Sequence, residues 1–133
     1  MLHETISSYL RHVEATLGEV EDAYTELYEE EILASDRVNL RIRLRFYKGY
    51  LLELNESVIF DDGFRHLRYR YHFQDKEKNL LFRYDNTPHF PNLKTFPHHK
   101  HLKGEVIATE KQPIAHVIRE AVREATSDTE RES

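Results

Sequence analysis

The run Arg37–Tyr47, "RVNLRIRLRFY", alternates without a break. Val38, Leu40, Ile42, Leu44 and Phe46 share one parity; Arg37, Asn39, Arg41, Arg43, Arg45 and Tyr47 share the other. A period of two describes a strand with one buried and one wet face, because successive side chains leave a pleated backbone on opposite sides. A chain carrying this run must build a sheet that is apolar on one side only, and its neighbours can be read outward from it. Lys48-Gly49 supplies a turn, and "YLLELNESVIF" returns as a second strand. Asp62-Gly63 is a hairpin signal, since both residues tolerate positive φ. In "FRHLRYRYHF", Leu67, Tyr69, Tyr71 and Phe73 suit the core face, while His66, Arg68, Arg70, His72 and Gln74 suit the outer one. The polar "DKEKN" leads to a last strand, "LLFRYD".

The flanks carry a different period. Leu2, Ile6, Tyr9, Leu10, Val13 and Leu17 form a helical stripe that Gly18 can end. Residues 20–33 fit either a helix or a strand by period. Pro88, Pro91 and Pro97 keep the segment after the last strand irregular. Ile114, Val117, Ile118, Ala121, Val122 and Ala125 mark a C-terminal helix opened by Pro113. The expected class is α+β: an antiparallel four- to five-stranded meander covered by an N-terminal and a C-terminal helix. A chain of 133 residues suits one domain, expected over 1–125, with 126–133 as a flexible tail. The absence of cysteine removes disulfides and thiolate metal sites. The N-terminus does not read as a signal peptide, and no apolar run approaches the ~18 residues of a membrane span. A soluble, cytoplasmic protein is the expectation.

Charge is unevenly spread. Residues 1–35 hold one basic and nine acidic side chains, whereas 36–103 hold fourteen Lys and Arg against eight acidic residues, with six of the nine histidines. A basic centre between acidic ends points to a polyanion or an acidic partner. Outward residues on one strand repeat every ~6.7 Å. The row Arg41, Arg43, Arg45, with Arg68 and Arg70 nearby, therefore matches the phosphate spacing of a single-stranded nucleic acid. Guanidinium groups grip phosphate oxygens two at a time. The competing reading is that these arginines pair with acidic residues of the same chain.

Four histidines, His89, His98, His99 and His101, lie within "DNTPHFPNLKTFPHHKH" beside Asp85 and Lys100. Three chemistries can use them. His99-x-His101, with Asp85 or His89, offers ligands for a transition metal, although the spacing matches no common zinc signature and Lys100 opposes a cation. Imidazoles near their ordinary pKa of about 6.5 can instead move the two protons of metal-free RNA cleavage, with Lys or Arg steadying the phosphorane. Or the rings simply satisfy loop carbonyls. No nucleophile elbow and no glycine-rich phosphate loop is present.

Tyr69 to His101, "YRYHFQDKEKNLLFRYDNTPHFPNLKTFPHHKH", resembles the signature of the TumE-type toxin family. The shared polar positions are Tyr71, His72, Gln74, Asp75, Arg83, Asp85, Asn86, Pro88, His89, Pro97, His98, His99, Lys100 and His101. Phe90 departs from a second histidine common after His89, and Phe73 and Tyr84 stand where tryptophans are common. The resemblance implies an RNA-cleaving toxin silenced by an antitoxin, and a strand for 20–33. The resulting assignment is an endoribonuclease with catalytic Asp85, His89, His98, His99, Lys100 and His101. Arg41, Arg43, Arg45, Arg68, Arg70, His72, Arg83 and Asn86 are assigned to substrate. No metal or cofactor is assigned. The partners expected are RNA and a cognate antitoxin protein, with a homodimer left open and no membrane. The alternatives are a binding module without a reaction and a His-ligated metal nuclease. The assignment requires the imidazole-rich segment to lie on the guanidinium side of the sheet.

Overall fold

Strand β2, Arg37–Phe46, holds the pattern from which the architecture was expected, and its five apolar residues are all buried. The computed structural model describes residues 1–132, with side-chain environments as far as Ser127. Helix α1, Glu4–Gly18, is capped by His3, whose Nδ1 accepts from the Thr5 amide at 3.1 Å. The ambiguous segment 20–33 is resolved as strand β1, Ala23–Ala34. Then follow β2, β3 (Leu51–Phe60), β4 (Phe64–Gln74) and β5 (Leu80–Asp85). Beyond the proline-rich segment 86–98 lie β6 (His99–Leu102) and β7 (Glu105–Ala108), and α2 spans Ile114–Glu132. The helix thus extends into 126–133, expected as a tail, but Ser133 and the side chains of 128–132 lie outside the described residues.

All seven strands form one antiparallel sheet in sequence order. The class is as expected and the strand count is larger. The two extra strands come from "HHKHLKGEVIA", a hairpin turned at Gly104 with φ +81°. Its first half is so rich in histidine and lysine that its alternation is invisible to a hydrophobicity pattern. Asp62 and Gly63 both take positive φ, 54° and 124°, as the hairpin required. At Gly49, φ is +99° and an added Cβ would stand 2.8 Å from Lys76 Cβ, so close approach as well as handedness selects glycine.

Directly opposed residues in an antiparallel pair share a face, so register assigns every side chain. Leu40, Leu52, Leu54, Val58, Tyr69, Tyr71, Phe73, Phe82 and Tyr84 form the core face. Against it pack Ile6, Leu10, Val13 and Leu17 of α1 and Ile114, Val117, Ile118, Ala121 and Ala125 of α2. Each fully buried aliphatic or aromatic side chain here contributes about 1.5–3 kcal/mol. One expectation fails. His66, placed on the outer face by parity, lies on the core face, because Ser57 opposes Arg68 while Val58 opposes His66. Leu67 is the extra residue of a β-bulge, and each residue before it changes side.

Candidate active site

The face away from the helices is polar along two cross-strand rows. Asn55, Arg70, Asp85 and His99 form one, on β3, β4, β5 and β6; Glu53, His72, Arg83 and His101 form the next. Neighbouring strands are about 4.8 Å apart and neighbouring rows about 6.7 Å. Guanidinium and imidazole groups therefore share one surface, as the sequence argument required.

At its centre is Asp85, 4% exposed. Its Oδ1 lies 2.8 Å from His99 Nε2, and its Oδ2 lies 3.3 Å from His101 Nε2 and 3.5 Å from Arg83 Nε. Oδ1 also accepts from the Thr87 amide at 3.0 Å, which holds the carboxylate at the end of β5. His99 is 1% exposed, with Nδ1 2.9 Å from the Pro97 carbonyl oxygen. That contact demands a proton on Nδ1. His99 Nε2, despite its short distance to Asp85, has no aligned hydrogen-bond partner. The Phe90 ring packs edge-on to both imidazoles, with centroids 4.9 Å from His99 and 5.9 Å from His101. Burial, followed by the charge of Arg83, holds the His101 pKa below its ordinary value despite the nearby Asp85. Its ring is thereby favoured as neutral imidazole.

The arginines divide into two groups. Arg43 and Arg45 share Glu26, at 3.4 and 3.3 Å, and Arg41 meets Glu29 at 3.4 Å. Glu26 reaches two arginines because it sits in a register shift between Thr25 and Leu27. The competing intramolecular reading thus accounts for the β2 row, through acidic residues of β1. Arg68 and Arg70 are exposed and enter no ion pair among the described residues. They line a groove of about 360 Å³ with Asn39, Arg41, Asn55 and Ser57. Ser57 Oγ is buried there without a partner. Asn39, Asn55 and Ser57 were not singled out in the sequence; the parity of β2 and β3 would have found them.

Other expected site residues lie elsewhere. Lys100 faces the helices: its Nζ is 2.7 Å from Glu120 of α2 and 4.8 Å from the centroid of Tyr84. Alternation in β6 separates it from His99 and His101, and its ammonium is spent on Glu120. Burial would lower its pKa, but the bonds to Glu120 and Tyr84 outweigh this and raise it. His98 also points inward, with Nδ1 2.8 Å from the Tyr69 hydroxyl. Burial, then Lys111, lowers its pKa. Asn86 accepts from the Tyr69 amide and donates to the Leu67 carbonyl, serving the backbone of the bulged strand. His72 donates from Nε2 to Gln74 Oε1, 3.0 Å away, and burial lowers its pKa. His89 is exposed in the segment that carries Phe90 over the site.

A separate polar network lies on the core face. Glu56, 4% exposed, accepts from the hydroxyls of Tyr9, at 2.5 Å, and Tyr71, and meets His66 Nε2 at 2.9 Å. Burial alone would raise the Glu56 pKa, but His66 and the two hydroxyls outweigh it and hold it below the usual carboxylate value. Glu56 in turn joins desolvation in pushing both tyrosines upward.

No helix among the described residues is long and apolar enough to cross a membrane. No curated protein and no solved structure matches the chain. One family model does: described as toxin TumE, it matches residues 6–130, nearly the whole length.

Proposed function

The chain belongs to the TumE family of toxins, and from this premise we propose that it is an endoribonuclease kept silent by a cognate antitoxin. The observation that carries this reading is the placement of His99, His101 and Arg83 within 3.5 Å of the Asp85 carboxylate, beside two unpaired arginines. RNA laid in the groove would meet Arg68 and Arg70 with its backbone and bring a phosphate over Arg83. His101, with Nε2–H held toward Asp85 Oδ2, offers its Nδ1 lone pair to the 2′-hydroxyl. The 2′-oxygen then attacks phosphorus, and the 5′-oxygen leaves with a proton from a second acid. Exposed His89, next to Phe90, is the residue assigned to that role. Arg83 and Arg70 stabilise the extra negative charge of the phosphorane. This chemistry needs no metal. His99, sealed from solvent, does not touch substrate.

The test is cleavage of a fluorescent single-stranded RNA by purified protein in excess EDTA. His101→Ala and Asp85→Asn should each lower kcat by about 10²–10⁴, with salt-dependent RNA binding retained. A wild-type protein that binds RNA but cuts none of a broad panel would leave a binding module in place of the enzyme.

A further inference from the structure

We propose that Asp85, His99 and His101 also form a site for a divalent transition-metal ion, and that the ion switches the nuclease off. The three ligand atoms, one from each residue, lie within 4.8 Å of one another. With metal–ligand bonds of about 2.0–2.2 Å, the edges of a tetrahedral site are roughly 3.4 Å. The observed carboxylate–imidazole separations of 2.8 and 3.3 Å both fall short of that value. Small side-chain rotations would bring the set to length.

His99 carries the stronger indication of an ion. Its Nδ1–H is committed to the Pro97 carbonyl, so in the neutral ring Nε2 is a bare lone pair facing a carboxylate oxygen 2.8 Å away. Two acceptors at that distance repel. A proton on Nε2 would not relieve the contact well, since no N–H direction on that atom reaches an acceptor. A cation standing off the N···O line, on the lone pairs of both rings and the carboxylate, relieves the His99–Asp85 contact. The backbone carbonyl behind His99 is the outer-sphere acceptor that a ligating imidazole ordinarily uses. Two imidazoles and one carboxylate favour zinc, cobalt, nickel or manganese over magnesium or calcium, and leave a coordination position open.

The consequence for activity rests on the acid–base reading of His101. A metal on Nε2 forces the ring proton onto Nδ1, the atom that must accept from the 2′-hydroxyl. The base becomes a donor, so the same three residues can hold either the ion or the catalytic tautomer.

The experiment uses full-length protein stripped with chelator and then passed into chelator-free buffer. Zn²⁺ is titrated by calorimetry and Co²⁺ by visible absorption, with RNA cleavage measured at each occupancy. One ion per chain, tetrahedral Co²⁺ bands, and cleavage falling in proportion to occupancy are expected. His101→Ala, at a side chain 18% exposed, and His99→Ala should each weaken binding at least 10²-fold, with circular dichroism checking the fold of each. Absence of stoichiometric binding, or binding that survives both substitutions, overturns the site. Binding that raises cleavage keeps the site and overturns the switch, together with His101 as base. Should the stripped protein cut no RNA, the nuclease reading falls while the calorimetry still decides the metal site.

Discussion

Replacing Glu56 with alanine removes the carboxylate that Tyr9, Tyr71 and His66 share beneath α1. Tyr71 is wholly buried, so its hydroxyl would lose its partner with no route to water, at a cost of about 1–3 kcal/mol. The Tyr9 hydroxyl is half-buried and keeps a 3.2 Å contact with His66 Nε2, so its loss is nearer 0.5–1.5 kcal/mol. His66, 9% exposed at its side chain, loses a charge-assisted bond worth about 1.5–3 kcal/mol, partly recovered from Tyr9. Because the Tyr9–His66 contact recovers part of two of these losses, the lower end of their combined range is expected, about 3–4 kcal/mol, a large part of the 5–15 kcal/mol that holds an ordinary domain. Urea unfolding at pH 7, followed by circular dichroism, reads this as a midpoint lowered by about 1.5 M or more for m near 2 kcal/mol/M. Tyr71→Phe in the alanine background should cost less than it does alone, with a coupling of about 1–2 kcal/mol. The pH dependence follows from the direction of the Glu56 shift. A folded pKa below the unfolded value of 4.5 stabilises fully above that pH and is lost as pH falls through the folded value. The gap between wild type and alanine should therefore be complete at pH 7 and close in acid. A cost below 1 kcal/mol, additivity with Tyr71→Phe, or a gap that widens in acid would refute the account.

Arg68→Ala with Arg70→Ala should weaken single-stranded RNA binding at low salt and reduce the slope of log K against log salt by about 1.4, two contacts at ~0.7 each. Arg43→Ala with Arg45→Ala, whose guanidinium groups already meet Glu26, should change that slope by less; fluorescence anisotropy across a salt series compares them. Lys100→Met should lower the urea midpoint by an amount equivalent to about 1–2 kcal/mol, since it leaves Glu120 half-buried with only Tyr84 as partner. That loss should appear in stability rather than in kcat, because β6 turns Lys100 away from His99 and His101.

Much of this molecule was legible in one dimension. The unbroken alternation of β2 required a sheet wet on one side, and Asp62-Gly63 and Lys48-Gly49 set where the chain reverses. The helical stripes at either end identified what covers the other side. The density of histidine around Asp85 marked the segment whose His99 and His101 meet that carboxylate. These features are local: they depend on the periods of the backbone and on the handedness its turns demand.

What the sequence could not settle depended on register and on partners distant along the chain. Which arginines are free was decided by β1, whose Glu26 and Glu29 neutralise the β2 row and leave Arg68 and Arg70 exposed. A bulge of one residue at Leu67 carried His66 from the outer face to Glu56. In "HHKH" the alternation of β6 sent His99 and His101 to the carboxylate of Asp85 and Lys100 to the other side, where His98, just before the strand, also points. Four adjacent polar residues look equivalent in a sequence, because composition records only that they are near one another. A pleated strand gives them two opposite directions, and only its pairing with β5 decides which of the two meets Asp85.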